Sequence, residues 1–208
     1  MDSLTKLQEI FSHFPGIGPR QARRFAYYLL GKPQSFIKEF TQLIETVRKS
    51  VRECDKCHRY FIENGRTDEI GSPHSCPLCS DASRDYATLM IVARDSDFES
   101  IEKSSAYRGL YFILGGTVPI LDKEPDKRIR LKQLLERVSK GSEIKEIILS
   151  LNATPDGEHT ATIVKDALGK IVNNKQTKIT VLGRGLSTGA ELEYADGDTI
   201  RNALKHRE

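Results

Sequence analysis

Four cysteines, the only ones in a chain of 208 residues, fall into two pairs, Cys54-x-x-Cys57 and Cys76-x-x-Cys79. Each pair presents two thiolates from one tight turn, and two such turns supply the four sulfur donors of a closed tetrahedral site suited to Zn²⁺. No cysteine remains for a disulfide elsewhere, and four protein ligands leave no coordination position for a substrate. The expectation is therefore structural zinc, not catalytic zinc. His58 and His74 adjoin the cysteines and could replace one of them, but with four thiolates at this spacing they fit better around the ligands than among them. The competing chemistry is a thioredoxin-like redox pair, which would place one C-x-x-C at a strand-to-helix junction. Here turn-forming residues flank both pairs. The 18 residues between Cys57 and Cys76 run through Tyr60-Phe61-Ile62, then Asn64-Gly65 and Gly71-Ser72-Pro73, as expected for short hairpins around a metal.

A second constellation precedes the cysteines. Leu4, Leu7, Ile10, Phe11 and Phe14 recur at helical spacing, and Ala22, Phe25, Ala26, Leu29 and Leu30 do so after an interruption at Pro15-Gly16-Ile17-Gly18-Pro19. This predicts helix, tight hairpin, helix. Gly16 and Gly18 can take positive φ and admit another backbone, and Pro19 fits the first turn of the second helix. That turn offers free N–H groups and is followed by Arg20, Arg23 and Arg24, so a phosphate would meet backbone donors, a favourable dipole and guanidinium forks together. The segment resembles the helix-hairpin-helix module, which grips DNA backbone without reading sequence. The plainer alternative is a helical corner whose arginines are only solvated. A third helical pattern carries Phe36, Ile37, Phe40, Leu43, Ile44, Val47 and Val51 on one broad face; that stripe reads most simply as core, with an interface as the other reading.

The elements that must position these groups follow from the rest of the chain. Its length allows one or two domains plus a small metal module, and it contains neither a leader pattern nor an apolar run long enough to span a membrane. A cytoplasmic location, with thiols kept reduced, is expected. The net charge is only +3, but residues 1–52 hold nine Lys and Arg against four acids, which places +5 at one end and −2 on the remainder. That asymmetry suits an anionic partner at the N-terminal end. From Tyr86 onward, strand patterns at 87–93, 110–114, 144–149 and 177–182 alternate with helical patterns near 96–104, 126–140 and 158–173. The order predicts a mostly parallel sheet covered on both faces, with ligands at the carboxyl ends of the strands. The last of these ends, Gly183 to Gly189, is glycine-rich but lacks the Lys-Ser/Thr that a nucleotide-binding P-loop needs.

A helix-hairpin-helix, a four-cysteine module and a parallel α/β domain, in this order and at this length, resemble the RecR family of bacterial recombination mediators over essentially the whole chain. Further motifs carry the same resemblance: Tyr107-Arg-Gly-Leu-Tyr-Phe-Ile-Leu-Gly-Gly116, Ile148-Leu-Ser-Leu-Asn-Ala-Thr154 with Gly157-Glu158, and Gly185-Leu-Ser-Thr-Gly-Ala-Glu-Leu-Glu-Tyr194. The fold class implied is multidomain α/β. A helix-hairpin-helix bundle would span 1–52, a zinc module 53–80, a Toprim-like parallel-sheet domain 81–182 and a strand/helix tail for oligomer contacts 183–208. The resemblance further implies a non-enzymatic, ring-like homo-oligomer, dimer or tetramer. It would bind DNA at gaps and work with RecO, and in some cases RecF, to load RecA onto DNA coated by single-strand binding protein. Arg20 and Arg24 occupy the family's basic hairpin positions, and Glu158 an acidic position in its RecO-contacting region.

Toprim enzymes hold Mg²⁺ with a glutamate after the first strand and a D-x-D after a later one. Here the glutamate position aligns with Ala93, where RecR proteins usually keep Glu, and the D-x-D position reads Asn152-Ala153-Thr154. Neutral side chains at these positions argue against that metal site. A displaced site built from Asp95, Asp97, Asp156 and Glu158 is the enzyme alternative, a metal-dependent nuclease. A zinc-bearing interaction scaffold without DNA binding is the third class, opposed by the three hairpin arginines. His159 has no partner pattern for catalysis and reads as a surface residue. Ser187 and Ala190 stand where the family commonly has proline and glycine, which marks a divergent member.

Overall fold

The alternating apolar runs of the second half fold into a single four-stranded sheet whose strands are all parallel. The computed structural model describes residues 2–62, 74–122, 124–172, 177–183, 185–187, 189 and 191–205. The chain divides into two compact units, Met1–Val51 and Arg52–Glu208.

The first unit holds α1 (Ser3–Ser12), α2 (Pro19–Leu30) and α3 (Gln34–Ser50). Asp2 caps α1 by accepting the Thr5 N–H at 2.8 Å. Gly18, in extended conformation, caps α2 with Pro19 directly behind it. Of the hairpin glycines only Gly16 has positive φ, +76°; Gly18 serves as the helix cap. The helices α1 and α2 meet through Ala22 and Ala26, the unit's two buried hydrophobic residues among those described, and through an edge-to-face pair of Phe11 and Phe25 at 5.8 Å. The broad apolar stripe of α3 is not core: no residue of α3 is buried, and Phe40, Leu43, Ile44 and Val47 are exposed. Two short helices sharing an alanine seam enclose no interior into which that stripe could pack.

β1 (Val51–Glu53), which starts at the last residue of the first unit, pairs with β2 (Tyr60–Ile62) around the first cysteine pair. There follow β3 (Asp85–Val92), α4 (Asp95–Ser104), β4 (Gly109–Ile113), α5 (Leu131–Lys140), β5 (Glu146–Ser150), α6 (Pro155–Val172), β6 (Lys178–Val181) and α7 (Gly197–Lys205). The sheet order is β4-β3-β5-β6, in register Met90↔Tyr111 and Leu89↔Ile147. β4 is buried along its whole length, as a strand covered on both faces must be, and its uninterrupted apolar sequence reflects this. Leu89, Ile91, Phe112, Leu114, Ile147, Leu149, Leu134 and Leu168 form the centre of the core.

The helical pattern predicted over 126–140 is two pieces. A 3₁₀ turn at Pro125–Lys127 precedes α5, because the Arg130 N–H donates to the Leu114 carbonyl at 2.8 Å and Ile129 turns into the core, drawing the chain off the helical path. α6 begins three residues earlier than expected: Thr154 caps it, its hydroxyl accepting the Gly157 N–H at 3.2 Å. The first turns of α6 also hold the loop after β4. Buried Thr160 accepts the Val118 N–H at 2.9 Å and donates to the Asp156 carbonyl at 2.6 Å. Thr160→Val keeps the shape and strands the buried Val118 N–H. Chemical denaturation should give an unfolding free energy lower by about 1–3 kcal/mol, and an unchanged value would mean this clamp contributes nothing.

Candidate functional site

The four cysteines converge, and the local backbone explains how. β1 delivers Cys54, whose N–H donates to the Arg59 carbonyl at 2.9 Å, while the His58 N–H returns to the Cys54 carbonyl at 2.8 Å and closes the first turn. His58 takes the left-handed conformation, φ +60°, at the corner. The second turn is a 3₁₀ helix, Pro77–Ser80, opening at Cys76. Asp55 joins the two turns: its N–H donates to the His74 carbonyl at 2.9 Å and its carboxylate accepts the His74 N–H at 2.8 Å. The hairpins expected at Asn64-Gly65 and Gly71-Ser72-Pro73 lie outside the described residues.

All four sulfurs lie within 4.8 Å of one another, with Cys57 and Cys76 at 3.6 Å. A tetrahedron with metal–sulfur bonds of about 2.3 Å separates its sulfurs by about 3.8 Å, so the cluster fits a four-thiolate metal ion without rearrangement. The Cys76 N–H also donates to Cys54 Sγ at 3.3 Å, a contact that favours thiolate. Hydrogen bonding divides the thiols: the bond with Cys57 holds Cys54 far below the ordinary thiol range, and the bond with Cys54 pushes Cys57 and Cys79 up. Four sulfurs in one buried cluster ionise together only with a cation among them. Neither histidine joins the cluster. The His58 Nδ1 is 2.7 Å from Glu53 Oε1 and its ring packs edge-on against Phe112. Glu53 also receives Arg130 Nε at 3.2 Å, which orients this outer layer.

What the sequence did not reveal is how the cysteine turns are tied to the sheet. The cysteines are all at most 1% exposed and belong to the same apolar core as the strands. β4 is an edge strand, and the Ile113 N–H on its open side donates to the Cys57 carbonyl at 2.9 Å. The Arg137 guanidinium of α5 donates to the Lys56 carbonyl in the same turn. Their partners lie 81 residues apart in the Arg137 case, and no spacing rule reaches that far.

At the carboxyl edge of the sheet the described residues form no acidic cluster. Ala93 is buried, and the Thr154 of Asn152-Ala153-Thr154 is occupied in capping α6. Asp95 accepts the Tyr60 N–H at 3.2 Å, Asp97 caps α4 by accepting the Arg94 N–H at 3.0 Å, and Asp156 accepts the Ile120 N–H at 3.3 Å. Glu158 is exposed in the first turn of α6, with His159 half-buried beside it. Among the described residues the four cysteines are the one group of three or more metal-ligating side chains that converge. The displaced acidic site is therefore not assembled.

In the first unit Gly16, Gly18, Arg20, Arg23 and Arg24 are all exposed at the start of α2. The Arg20 and Gln21 N–H groups belong to the first turn and have no intrahelical acceptor. A β-carbon placed on Gly16 or Gly18 would meet no atom within 4 Å, so the hairpin surface is open to a ligand. α2 contains three arginines and no acid.

Replacing one ligand tests the metal cluster. Cys57→Ser should lose bound metal and lower stability by at least about 4 kcal/mol, the range in which loss of a structural metal falls. Metal content by atomic emission beside a melting curve reads both; full stability without metal would exclude a structural role.

Comparison with known proteins agrees with this architecture part by part. The family profile described as "RecR, helix-hairpin-helix" matches residues 4–48, "Toprim domain" residues 87–183, and "RecR, C-terminal" residues 185–208. The chain is 37% identical to "Recombination protein RecR" of Bifidobacterium adolescentis, over 99% of this chain and 95% of that one. It is 34% identical to the protein of the same name from Lactococcus lactis subsp. cremoris, over 99% and 96%, and 30% identical to that of Lactobacillus helveticus, over 98% and 96%. Matched from end to end at these identities, with the hairpin, the cysteine cluster and the parallel sheet in place, the chain belongs to the RecR family of recombination proteins.

Proposed function

We propose that this chain is a non-enzymatic DNA-binding mediator of recombinational repair, an oligomeric clamp that works with RecO, and in some settings RecF, to load RecA onto gapped or coated single-stranded DNA. The observation that carries the reading is the acid-free start of α2, where exposed Arg20, Arg23 and Arg24 surround unpaired helix N–H groups beside Gly16 and Gly18. Such a surface takes phosphate oxygens and ignores base sequence. The metal of the four cysteines is Zn²⁺ in a structural role, because closed sulfur sites of this size suit it and leave no position for substrate.

A mediator reading is favoured over nuclease chemistry by what the acids do. Asp95, Asp97 and Asp156 hold backbone N–H groups, so they are parts of the scaffold, and Ala93 and Asn152 offer no carboxylate. Oligomerisation is supported by apolar surface at both ends of the chain. α3 exposes Leu43, Ile44 and Val47, and the C-terminal segment exposes Leu192, Tyr194 and Leu204, faces that a second copy would cover. Several hairpins in one ring would raise the effective concentration of weak phosphate contacts. Glu158, exposed and acidic, is assigned to RecO. No helix among the described residues is long and apolar enough to cross a membrane, and the working location is the cytoplasm, at the nucleoid.

Fluorescence anisotropy on gapped, duplex and single-stranded DNA across a salt series tests the reading. Wild type should bind with a steep, nearly sequence-independent salt dependence. Arg20→Ala with Arg24→Ala should bind at least about tenfold more weakly, with a salt slope shallower by about two. Unaltered affinity and slope in the double variant would refute the hairpin assignment.

A further inference from the structure

Beyond the hairpin, α2 carries a feature that phosphate binding alone does not use. Arg20, Arg24 and Tyr28 follow one another at four-residue steps, so they form a single ridge, on the side of the helix opposite the buried Ala22 and Ala26. Two shallow concavities run along this ridge and share Gln21 and Arg24: one is lined by Gly18, Pro19 and Arg20, the other by Phe25 and Tyr28. The groove therefore continues from the basic hairpin onto aromatic rings. Lys32, just past the cap Gly31, sets its ammonium 4.2 Å from the centroid of the Tyr28 ring, and Phe36 of α3 packs edge-on to the same ring at 6.5 Å. These neighbours fix the ring, yet Tyr28 remains 54% exposed.

Base–aromatic stacking needs an ordered, accessible ring beside a cation that follows the backbone. Helix-terminus contacts to phosphate need neither. We propose that Tyr28 is a base-stacking subsite for single-stranded DNA, with Arg24 on one side and Lys32 on the other holding the adjoining phosphates. The inference rests on the DNA-binding reading of the hairpin. Charge complementarity selects the occupant: the ridge holds arginine, arginine, tyrosine and lysine, and α2 has no acid to repel a nucleic acid. Bases in a duplex are stacked on one another and unavailable to the ring, so the subsite discriminates in favour of single strands and of the single-stranded part of a gap.

Full-length wild type, Tyr28→Leu, Tyr28→Phe and the Arg20/Arg24 double alanine are compared on oligothymidine containing one 2-aminopurine and on a blunt duplex of equal length. Leucine keeps the contact with Phe36 and removes stacking. Tyr28→Leu should weaken single-strand binding about tenfold and abolish the 2-aminopurine quenching seen with wild type. Its duplex affinity, melting temperature and mass by light scattering should remain those of wild type, and Tyr28→Phe should restore both single-strand readouts. Equal losses on duplex and single strand, no loss on either, or a change of oligomeric mass in Tyr28→Leu would each overturn the proposal, the last because the face would then be a subunit contact. The arginine double variant keeps the two readings apart. If it weakens both substrates while Tyr28→Leu changes neither, the hairpin reading stands and the stacking subsite falls; if wild type binds neither substrate, both fall.

Discussion

The contact on which the α/β unit depends is the one between the cysteine turns and the edge of the sheet. An edge strand exposes unpaired N–H and C=O groups, and β4, apolar along its whole length, would be a hazard if left open. Here the Cys57 carbonyl accepts the Ile113 N–H, and the four thiols are buried in the same core as Phe112 and Leu114. A metal drawn to those thiols thus fixes more than two small loops. It holds the piece of backbone that closes the sheet, and Glu53, His58 and Arg130 form an outer layer around it. The module is part of the sheet's architecture, which accounts for its cysteines being shielded from solvent although the module itself is short.

At the carboxyl edge of the same sheet the acids are tied into the backbone. In this position carboxylates that bind a hard cation must converge with their oxygens free. Asp95, Asp97 and Asp156 are instead bonded to backbone N–H groups, and Thr154, standing in the D-x-D position, caps α6. Even Gly157 belongs to this tight corner: a β-carbon there would fall 2.1 Å from the Asn152 carbonyl oxygen. The proposed function accordingly moves to surfaces: a basic hairpin for DNA, and apolar end segments for further copies of the chain.

Much of this was legible from local pattern. The cysteine spacing named the cluster, because two tight turns with two thiolates each have few other uses; the alternation of strand and helix named the parallel sheet, because period and order are encoded over short stretches. The misreadings share a cause. The stripe of α3 reads as core since periodicity reports which face is apolar, not what covers it. The early start of α6 rests on a local cap, the Thr154 hydroxyl, which apolar periodicity does not report, and the break before α5 depends on a contact from a distant segment, Leu114 to Arg130. The link between Arg137 and the first cysteine turn was invisible for the same reason, since nothing near Lys56 in the sequence points to α5.

Hydrogen–deuterium exchange across β4, in metal-loaded protein and after chelation, measures the lock between metal and sheet most directly. The account predicts that the Ile113 amide, bonded to the Cys57 carbonyl, loses protection when the metal leaves, ahead of residues in the central strand β3. Unchanged protection at Ile113 in protein stripped of metal would mean that the sheet edge holds without the metal, and that the cysteine turns are an appendage to the fold.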